Sequence, residues 1–183
     1  MENAPKASWQ SSVWEIAKFV AVTLLIVIPI RTFIAQPFIV SGASMYPTFH
    51  DKEYLIIDEL SYHLRAPTRG EVIVFKYPQD TSKYFIKRII GLPGETIVVK
   101  NNEAFVKTGE QLTKIDEPYV KEPYWGNTEV SLGPTDYFVM GDNRAVSLDS
   151  RTWGPLPKNL ITGRAFIRLF PVGQIGVLPG NTP

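Results

Sequence analysis

Apolar residues along the chain follow two patterns that divide it into a short N-terminal part and a long remainder. Residues 19–30 carry no charge, and mixed apolar and polar residues extend this run to 13–35. From residue 36 onward, short runs of Val, Ile, Phe and Tyr are separated by Pro and Gly, without a sustained 3.6-residue period. This second pattern is typical of β-strands joined by turns. The sequence therefore predicts one helix followed by a mostly β domain.

The N-terminal run predicts a single transmembrane anchor. Its uncharged part is too short to span a bilayer, but Lys18 and Arg31 can extend their charged ends toward opposite interfaces. A helix over 13–35 would then be roughly 34 Å long, enough to cross a hydrocarbon layer of ~30 Å. Pro29 predicts a kink near the end of this helix. A cleaved or interfacial segment and a buried helix are the alternatives, and the flanking charges do not set the orientation.

The remainder contains several segments with the composition of strands. Between two of them, Asn101-Asn102 predicts a hairpin turn, because Asn tolerates positive φ. Residues 108–135 predict an excursion from the main sheet, which would form a small inserted subdomain of irregular or β structure. The expected organisation is a tail over 1–12, the anchor over 13–35 and a β domain over 36–183. The predicted strands are residues 54–58, 71–77, 84–91, 96–100, 104–107, 137–141 and 163–170.

Composition excludes several function classes. Nineteen Lys and Arg against 18 Asp and Glu leave a net charge of +1, without the basic excess that binding to nucleic acid requires. The chain has no Cys, which excludes disulfides, thiol nucleophiles and zinc sites built on Cys. With only His50 and His63 available, a metal site of several His is also disfavoured. We therefore expect neither a nucleic-acid partner nor a metal.

The first segment that could carry chemistry is Ser-Gly-Ala-Ser-Met-Tyr-Pro-Thr at 41–48, which suits a tight turn presenting the Ser44 hydroxyl. A serine in such a turn is usually only a turn residue, and a nucleophile also needs a base. No Ser has a Lys three positions later, and Gly42-Ala43-Ser44-Met45-Tyr46 lacks the second Gly of a Gly-x-Ser-x-Gly elbow. A triad with a His stays open, although nothing specifically favours it.

The second segment, at 83–95, contains adjacent cations. On a strand, Lys87 lies on the face of Phe85 and Ile89 while Arg88 lies on the opposite face, so one cation must approach apolar surroundings. Burial disfavours the ammonium form and lowers a lysine pKa from about 10.4 toward roughly 7 to 8, whereas Arg stays protonated. Lys87 is therefore the candidate base. The alternative is that both cations are exposed charges on an edge strand.

The third segment is a polar loop after an apolar strand. Residues 139–154 contain two acids, two arginines and two serines, all of them between positions 141 and 151. Such a loop is either a turn with Asx hydrogen bonds and surface ion pairs, or a support that fixes the rotamer of a catalytic group.

Taken in order, these segments resemble the type I signal peptidase family of bacteria. The resemblance extends from the anchor to about Pro171, and four matches in the same order make chance an inadequate explanation. The matches are Ser-Met-x-Pro-Thr at 44–48, Gly-Glu-Val-Ile-Val-Phe at 70–75, Ile-Lys-Arg-x-x-Gly-Leu-Pro-Gly-Glu at 86–95, and Gly-Asp-Asn-Arg with Ser-x-Asp-Ser-Arg at 141–151.

The resemblance implies a role for each matching residue. Ser44 would be the nucleophile that forms an acyl-enzyme, and its backbone N–H an oxyanion donor. Lys87, uncharged, would be the general base, and Ser147 would orient its amine. The residues implied to hold the loop together are Asp142, Asn143, Arg144 and the ion pair of Asp149 with Arg151.

This chain departs from the family pattern at two places. Some family members have a Ser two residues before the nucleophile as a second oxyanion donor, whereas this chain has Gly42, whose backbone N–H could substitute. Ala145 and Val146 are apolar where the family commonly has polar residues. The hydrogen bonding of that loop therefore cannot be carried over in detail.

The resemblance implies a membrane-anchored serine endopeptidase that removes signal peptides from exported preproteins. Its partners would be preproteins and membrane lipid, its N-terminus cytoplasmic and its catalytic β domain extracytoplasmic, without a metal or organic cofactor. One alternative is a soluble self-cleaving repressor-type protease, which has the same Ser/Lys chemistry but which the apolar run at 19–30 disfavours. Another is a non-catalytic membrane-anchored β adaptor.

Overall fold

The computed structural model describes residues 9–29, 35–121 and 126–181, and the mostly β fold expected from the sequence is confirmed. The α-helices are α1 (Trp9–Pro29), α2 (Ser61–Leu64) and α3 (Ser150–Trp153), with 3-10 turns at Lys158–Leu160 and Val172–Gln174. The strands are β1 (Ala35–Ile39), β2 (Tyr54–Asp58), β3 (Val72–Tyr77), β4 (Asp80–Gly91), β5 (Thr96–Lys100), β6 (Glu103–Thr108), β7 (Gln111–Lys114), β8 (Thr128–Ser131), β9 (Asp136–Met140), β10 (Leu156–Pro157), β11 (Ile161–Phe170) and β12 (Gly176–Val177).

The strands form two antiparallel sheets. The larger sheet has eight strands, seven of them in the order β1-β2-β11-β3-β4-β9-β10, with β12 paired to β11. The smaller sheet has the order β7-β6-β5-β8. Because β4 lies between β3 and β9, Lys87 lies opposite Ile73 on one side, and Arg88 lies opposite Met140 on the other. The middle of β4 is therefore enclosed by both neighbouring strands.

The N-terminal helix differs from the predicted anchor. Among residues 9–29, 35–121 and 126–181, no helix is both long and apolar enough to cross a membrane. The helix begins at Trp9, within the predicted tail, and ends at Pro29, a residue that cannot donate a helical hydrogen bond. Ala35 lies in β1 and pairs with Asp58, so the expected helical end at 35 is wrong. Residues 30–34 of the predicted anchor lie outside the described residues.

The predicted strands all exist, and two of them have the predicted bounds, Tyr54–Asp58 and Thr96–Lys100. The hairpin at 101–102 is confirmed, with φ angles of 50° and 66° at the two Asn residues. In the expected excursion over 108–135, the structure shows the β alternative. This segment contributes β7 and β8, which pair with β6 and β5. Residues 122–125 within it lie outside the described residues.

The two sheets share a hydrophobic cluster. Ile90 of β4 and Met140 of β9 pack with Ile97 and Val99 of β5, and all four are fully buried. The smaller sheet is thus packed against β4 and β9 of the larger sheet.

Candidate active site

The turn that carries Ser44 follows directly after β1. Gly42 adopts a φ of 87°, a left-handed conformation that glycine accepts without strain, and its N–H donates to Asp51 Oδ1 at 2.8 Å. Met45 and Phe49 are fully buried and fasten the turn to the core. Gly42 is thus the turn residue expected from the sequence. Because its N–H is bonded to Asp51 in this conformation, a role of Gly42 as an oxyanion donor stays a prediction.

The amine of Lys87 lies beside the hydroxyl of Ser44. Nζ is 2.7 Å from Ser44 Oγ and donates to the carbonyl oxygen of Ile86 at 2.8 Å. The residue is only 4% exposed. Burial lowers the pKa of this amine from its ordinary 10.5 to about 8, although the carboxylates of Asp149 and Asp142 act in the opposite direction. Two residues 43 positions apart therefore form a pair of a hydroxyl and a weakly basic amine.

Both adjacent cations of β4, Lys87 and Arg88, are buried, rather than one. Arg88 is fully buried, and Asp142 accepts hydrogen bonds from its Nε at 2.8 Å and from its Nη2 at 2.6 Å. Nη1 donates to the carbonyl oxygen of Gly70 at 2.8 Å. The buried guanidinium is therefore paired with a carboxylate inside the core. The alternative of exposed edge-strand charges does not hold, because β4 is a central strand.

The loop after β9 is bonded to the Ser44 turn. Asn143 donates its backbone N–H to the Ser44 carbonyl oxygen at 3.0 Å, and the hydroxyl of Thr48 donates to Asp142. The loop is closed internally by Asp149, which accepts from the Gly141 N–H at 3.0 Å. The loop and the turn are therefore fixed relative to each other by backbone and side-chain hydrogen bonds.

Two arginines of this loop also have partners. Arg151 Nε lies 2.7 Å from Asp149 Oδ1, the ion pair that the resemblance implies. Arg144 is buried and donates from Nε to the carbonyl oxygen of Gly141 at 3.1 Å. Its two terminal nitrogens donate to the carboxylate of Glu117.

Ser147 does not form the bond to Lys87 that the resemblance implies. Its hydroxyl is buried, and within the described part of the chain it has no hydrogen-bond partner. It lies against Gly141, where an added methyl group would clash with both the Ser147 hydroxyl and the Ser44 carbonyl oxygen. The orienting role of Ser147 stays a prediction.

An apolar cavity of about 660 Å³ opens beside the Ser44–Lys87 pair. It is lined by Phe38 and Ile39 of β1 and by Tyr84 and Ile86 of β4. β1 is an edge strand of its sheet. The cavity is therefore a groove lined by both strands, with a hydroxyl and an amine among its lining groups.

Sequence reasoning missed several residues that support this arrangement. Glu117 pairs with Arg144 across 27 positions, Tyr119 places its ring 3.8 Å from the Arg88 guanidinium, and Asp51 holds the turn at Gly42. No spacing or periodicity links Glu117 to the loop. The sequence Glu-Pro-Tyr at 117–119 is recognisable, but it does not indicate which residue the Glu117 carboxylate contacts.

Comparison with known proteins identifies the family. The family described as "Signal peptidase, peptidase S26" matches residues 13–170, which is most of the chain. The chain belongs to the signal peptidase S26 family. This confirms the resemblance drawn from the four motifs.

Relatives within the signal peptidase family match nearly the whole chain. "Probable signal peptidase I-2" of Synechocystis sp. is 39% identical over 97% of this chain and 80% of its own length. "Signal peptidase I" of Leptolyngbya laminosa is 38% identical over 96% of this chain and 88% of its own length. A crystal structure of a signal peptidase I from Enterococcus faecalis V583 is 26% identical, with a TM-score of 0.48, and the match covers 55% of this chain and 97% of that one.

Proposed function

We propose that this chain is a serine endopeptidase that removes signal peptides from exported preproteins, with Ser44 as nucleophile and Lys87 as general base. The observation that carries the proposal is the 2.7 Å separation between Ser44 Oγ and the buried Lys87 Nζ. A serine is a weak nucleophile unless a base accepts its proton, and a lysine is a base only where its pKa is lowered. Family membership and the names of the relatives support the same activity.

In the acylation step, Ser44 Oγ attacks the carbonyl carbon of the scissile peptide bond while its proton moves to the uncharged Lys87 Nζ. The tetrahedral intermediate collapses as the ammonium returns a proton to the leaving amine. The mature protein then departs with a new amino terminus, and the signal peptide stays as an ester on Ser44. Lys87 thereby acts first as base and then as acid, with no net change in protonation.

In the deacylation step, Lys87 takes a proton from a water molecule that attacks the ester. The ester bond breaks, the proton passes to Ser44 Oγ, and the signal peptide leaves with a carboxyl terminus. The backbone N–H of Ser44 is the oxyanion donor we propose, since the Gly42 N–H is already bonded to Asp51. Removing one such donor typically costs about 2.7 to 4 kcal/mol of transition-state stabilisation.

The groove beside the pair suits an extended peptide. Residues 80–86 of β4 pair only with β3 among the described residues, and β1 pairs only with β2. A substrate strand can therefore add its backbone hydrogen bonds to one of these free edges. The apolar walls at Phe38 and Ile86 then favour small apolar side chains next to the scissile bond, as in an Ala-x-Ala-like site.

We also propose that α1 anchors the chain in the membrane, with the N-terminus cytoplasmic and the β domain extracytoplasmic. Exposed large apolar side chains of α1 support this, including Phe19 (73%) and Leu25 (75%). The active-site turn follows directly after β1, which begins at Ala35, six positions after the last residue of α1. The enzyme would then meet its substrate where the hydrophobic signal segment leaves the bilayer.

The test is cleavage of a signal-bearing preprotein by the purified chain in detergent. Ser44→Ala and Lys87→Ala are each expected to abolish turnover, because the first removes the nucleophile and the second the base. Circular dichroism and the thermal midpoint serve to show that both variants are folded. Lys114→Ala is the matched control, since Lys114 pairs with Glu103 in solvent on the smaller sheet, away from the cavity.

Full activity in Lys87→Ala would eliminate the proposed mechanism. A folded wild-type chain that cleaves no preprotein would favour the non-catalytic adaptor. Cleavage of its own chain alone would favour the self-cleaving repressor-type protease.

A further inference from the structure

The segment after β7 contacts both buried arginines of the site. Glu117 Oε2 accepts a hydrogen bond from Arg144 Nη1 at 3.1 Å, and Oε1 accepts one from Nη2. The side chain of Arg144 is fully buried and that of Glu117 is 7% exposed. The ring of Tyr119 lies 3.8 Å from the guanidinium of Arg88, and its hydroxyl donates to Glu117 at 3.2 Å. One short segment thus contacts two guanidinium groups, that of Arg144 through the Glu117 carboxylate and that of Arg88 through the Tyr119 ring.

Each arginine is linked to one of the reacting residues through the backbone between them. Arg144 donates to the carbonyl oxygen of Gly141, and its own carbonyl oxygen accepts from Arg151 Nη2 at 2.8 Å. It therefore braces the turn containing Asn143, whose N–H bonds to the Ser44 carbonyl oxygen. Arg88 follows Lys87 in β4. A displacement of either guanidinium would move the backbone that holds the hydroxyl or the amine.

We propose that Glu117 is a positioning residue for the reaction, acting through Arg144 to hold the turn at 141–147 against Ser44. A bidentate pair between a carboxylate and a guanidinium fixes direction as well as distance. A displacement of about 1 Å at a reacting group can cost on the order of a hundredfold in rate. Glu117 touches neither the substrate nor the reacting atoms. The segment after β7 thereby gains a function in catalysis, and the inference rests on the proposed peptidase activity.

A purely stabilising ion pair would behave differently. Removing one member of a buried pair leaves an unpaired charge and destabilises the fold, whereas replacing both members by apolar residues of similar size is often neutral or stabilising. A double variant therefore separates stability from position. Glu117→Met combined with Arg144→Met removes both charges and keeps the side chains long and apolar.

The experiment measures kcat, KM and the thermal midpoint of the full chain with a signal-bearing preprotein. The double variant is expected to keep its midpoint within about 5 °C of the wild type. Its kcat is expected to fall roughly ten- to a hundredfold while KM changes less than about threefold. Glu129→Gln is the matched control, because it breaks an ion pair with Lys107 on the same sheet, away from the arginines. This control is expected to match the wild type.

A conservative variant provides the second readout. Glu117→Asp keeps the charge and is expected to retain much more activity than Glu117→Gln. A kcat within twofold of the wild type in the double variant would overturn the inference. A double variant that does not fold would also overturn it, because the pair would then belong to stability. Failure of the wild type itself to cleave, with Ser44→Ala as blank, would instead overturn the proposed function.

Discussion

At a pKa of about 8, roughly a tenth of the Lys87 amines are uncharged at pH 7. At the ordinary value of 10.5 the uncharged fraction would be smaller by about three hundredfold. The difference comes mainly from burial, because the carboxylates near the amine favour its charged form. Burial of the Lys87 side chain therefore accounts for most of the uncharged amine that can accept the Ser44 proton.

Activity is consequently expected to depend on pH through Lys87. Because the uncharged amine is the base, kcat/KM is expected to rise about tenfold per pH unit below about pH 8 and to level off above it. Initial rates on a preprotein between pH 5.5 and 9.5 measure this profile. Lys87→Arg, which cannot lose its proton, is expected to be inactive throughout. A wild-type profile that is flat between pH 6 and 8 would contradict the assignment.

The same burial is expected to cost stability. A pKa lowered from 10.5 to about 8 corresponds to a loss of about 3 kcal/mol in the free energy of unfolding. The loss applies in full at pH values below the folded-state pKa. The unfolded chain binds more protons between about pH 8 and 10.5, so wild-type stability rises with pH across that window. Lys87→Met is therefore expected to raise the free energy of unfolding at pH 7 while abolishing activity.

Urea unfolding at pH 7 and pH 10 checks this prediction. The gain in Lys87→Met is expected to shrink at the higher pH, where the wild-type amine is uncharged in the folded state. Lys83→Met, on the exposed part of β4, is the control and is expected to lack this pH-dependent gain. If Lys87→Met were less stable than the wild type at both pH values, burial of the Lys87 amine would not reduce the stability of the fold.

At the scale of elements, the end of β9 determines how closely the loop approaches the nucleophile. Gly141 is the first residue after β9, and its missing side chain leaves room for the Ser44 carbonyl oxygen and the Ser147 hydroxyl. Gly141→Ala is therefore expected to push the loop away from the Ser44 turn and to lower kcat by at least about a hundredfold. Kinetics on the folded variant measure the loss.

Gly173→Ala is the control for this substitution. A methyl group at Gly173 meets no atom within 4 Å, so both activity and stability are expected to stay close to wild type. If Gly141→Ala retained full activity, close packing of the loop against Ser44 would not matter for the reaction.

The elements also show what the hydrophobic pattern can predict. Strands with a buried face, such as Thr96–Lys100, were predictable because their apolar residues recur in short runs. Gln111–Lys114 and Thr128–Ser131 were missed, since each is a short edge strand with mostly polar residues. Ala35–Ile39 was missed because Pro37 disfavours a strand except at an edge, which is where β1 lies. Local sequence thus predicts strands that bury side chains, and edge strands depend on a neighbour.

For the whole molecule, long-range pairing limits what the sequence alone can predict of the site. Ser44 and Lys87 could be paired in advance because both lie in motifs of one family. The contact of Glu117 with Arg144 joins the segment after β7 to the loop after β9, and no local sequence pattern predicts it. The same holds for Ser147, whose motif predicts a bond to the amine that the described structure does not form. Motifs identify the reacting groups, whereas the packing of the two sheets determines what supports them.

The position of the whole chain relative to the membrane yields the last prediction. If α1 anchors the chain, a charge placed within it should prevent insertion, because burying that charge in hydrocarbon is costly. Leu25→Asp combined with Val22→Asp is expected to move the protein from the floating to the soluble fraction of phosphatidylglycerol vesicles. Both side chains are exposed in the structure, so the fold itself should tolerate them. Leu64→Asp, at 81% exposure outside α1, is the matched control and is expected to float with wild type.

Cleavage of a preprotein embedded in the same vesicles should fall on the order of a hundredfold or more in the α1 variant, since anchoring raises the effective concentration of enzyme at its substrate. Its activity in detergent should be unchanged. Equal flotation of the α1 variant and the wild type would show that another surface holds the chain at the membrane.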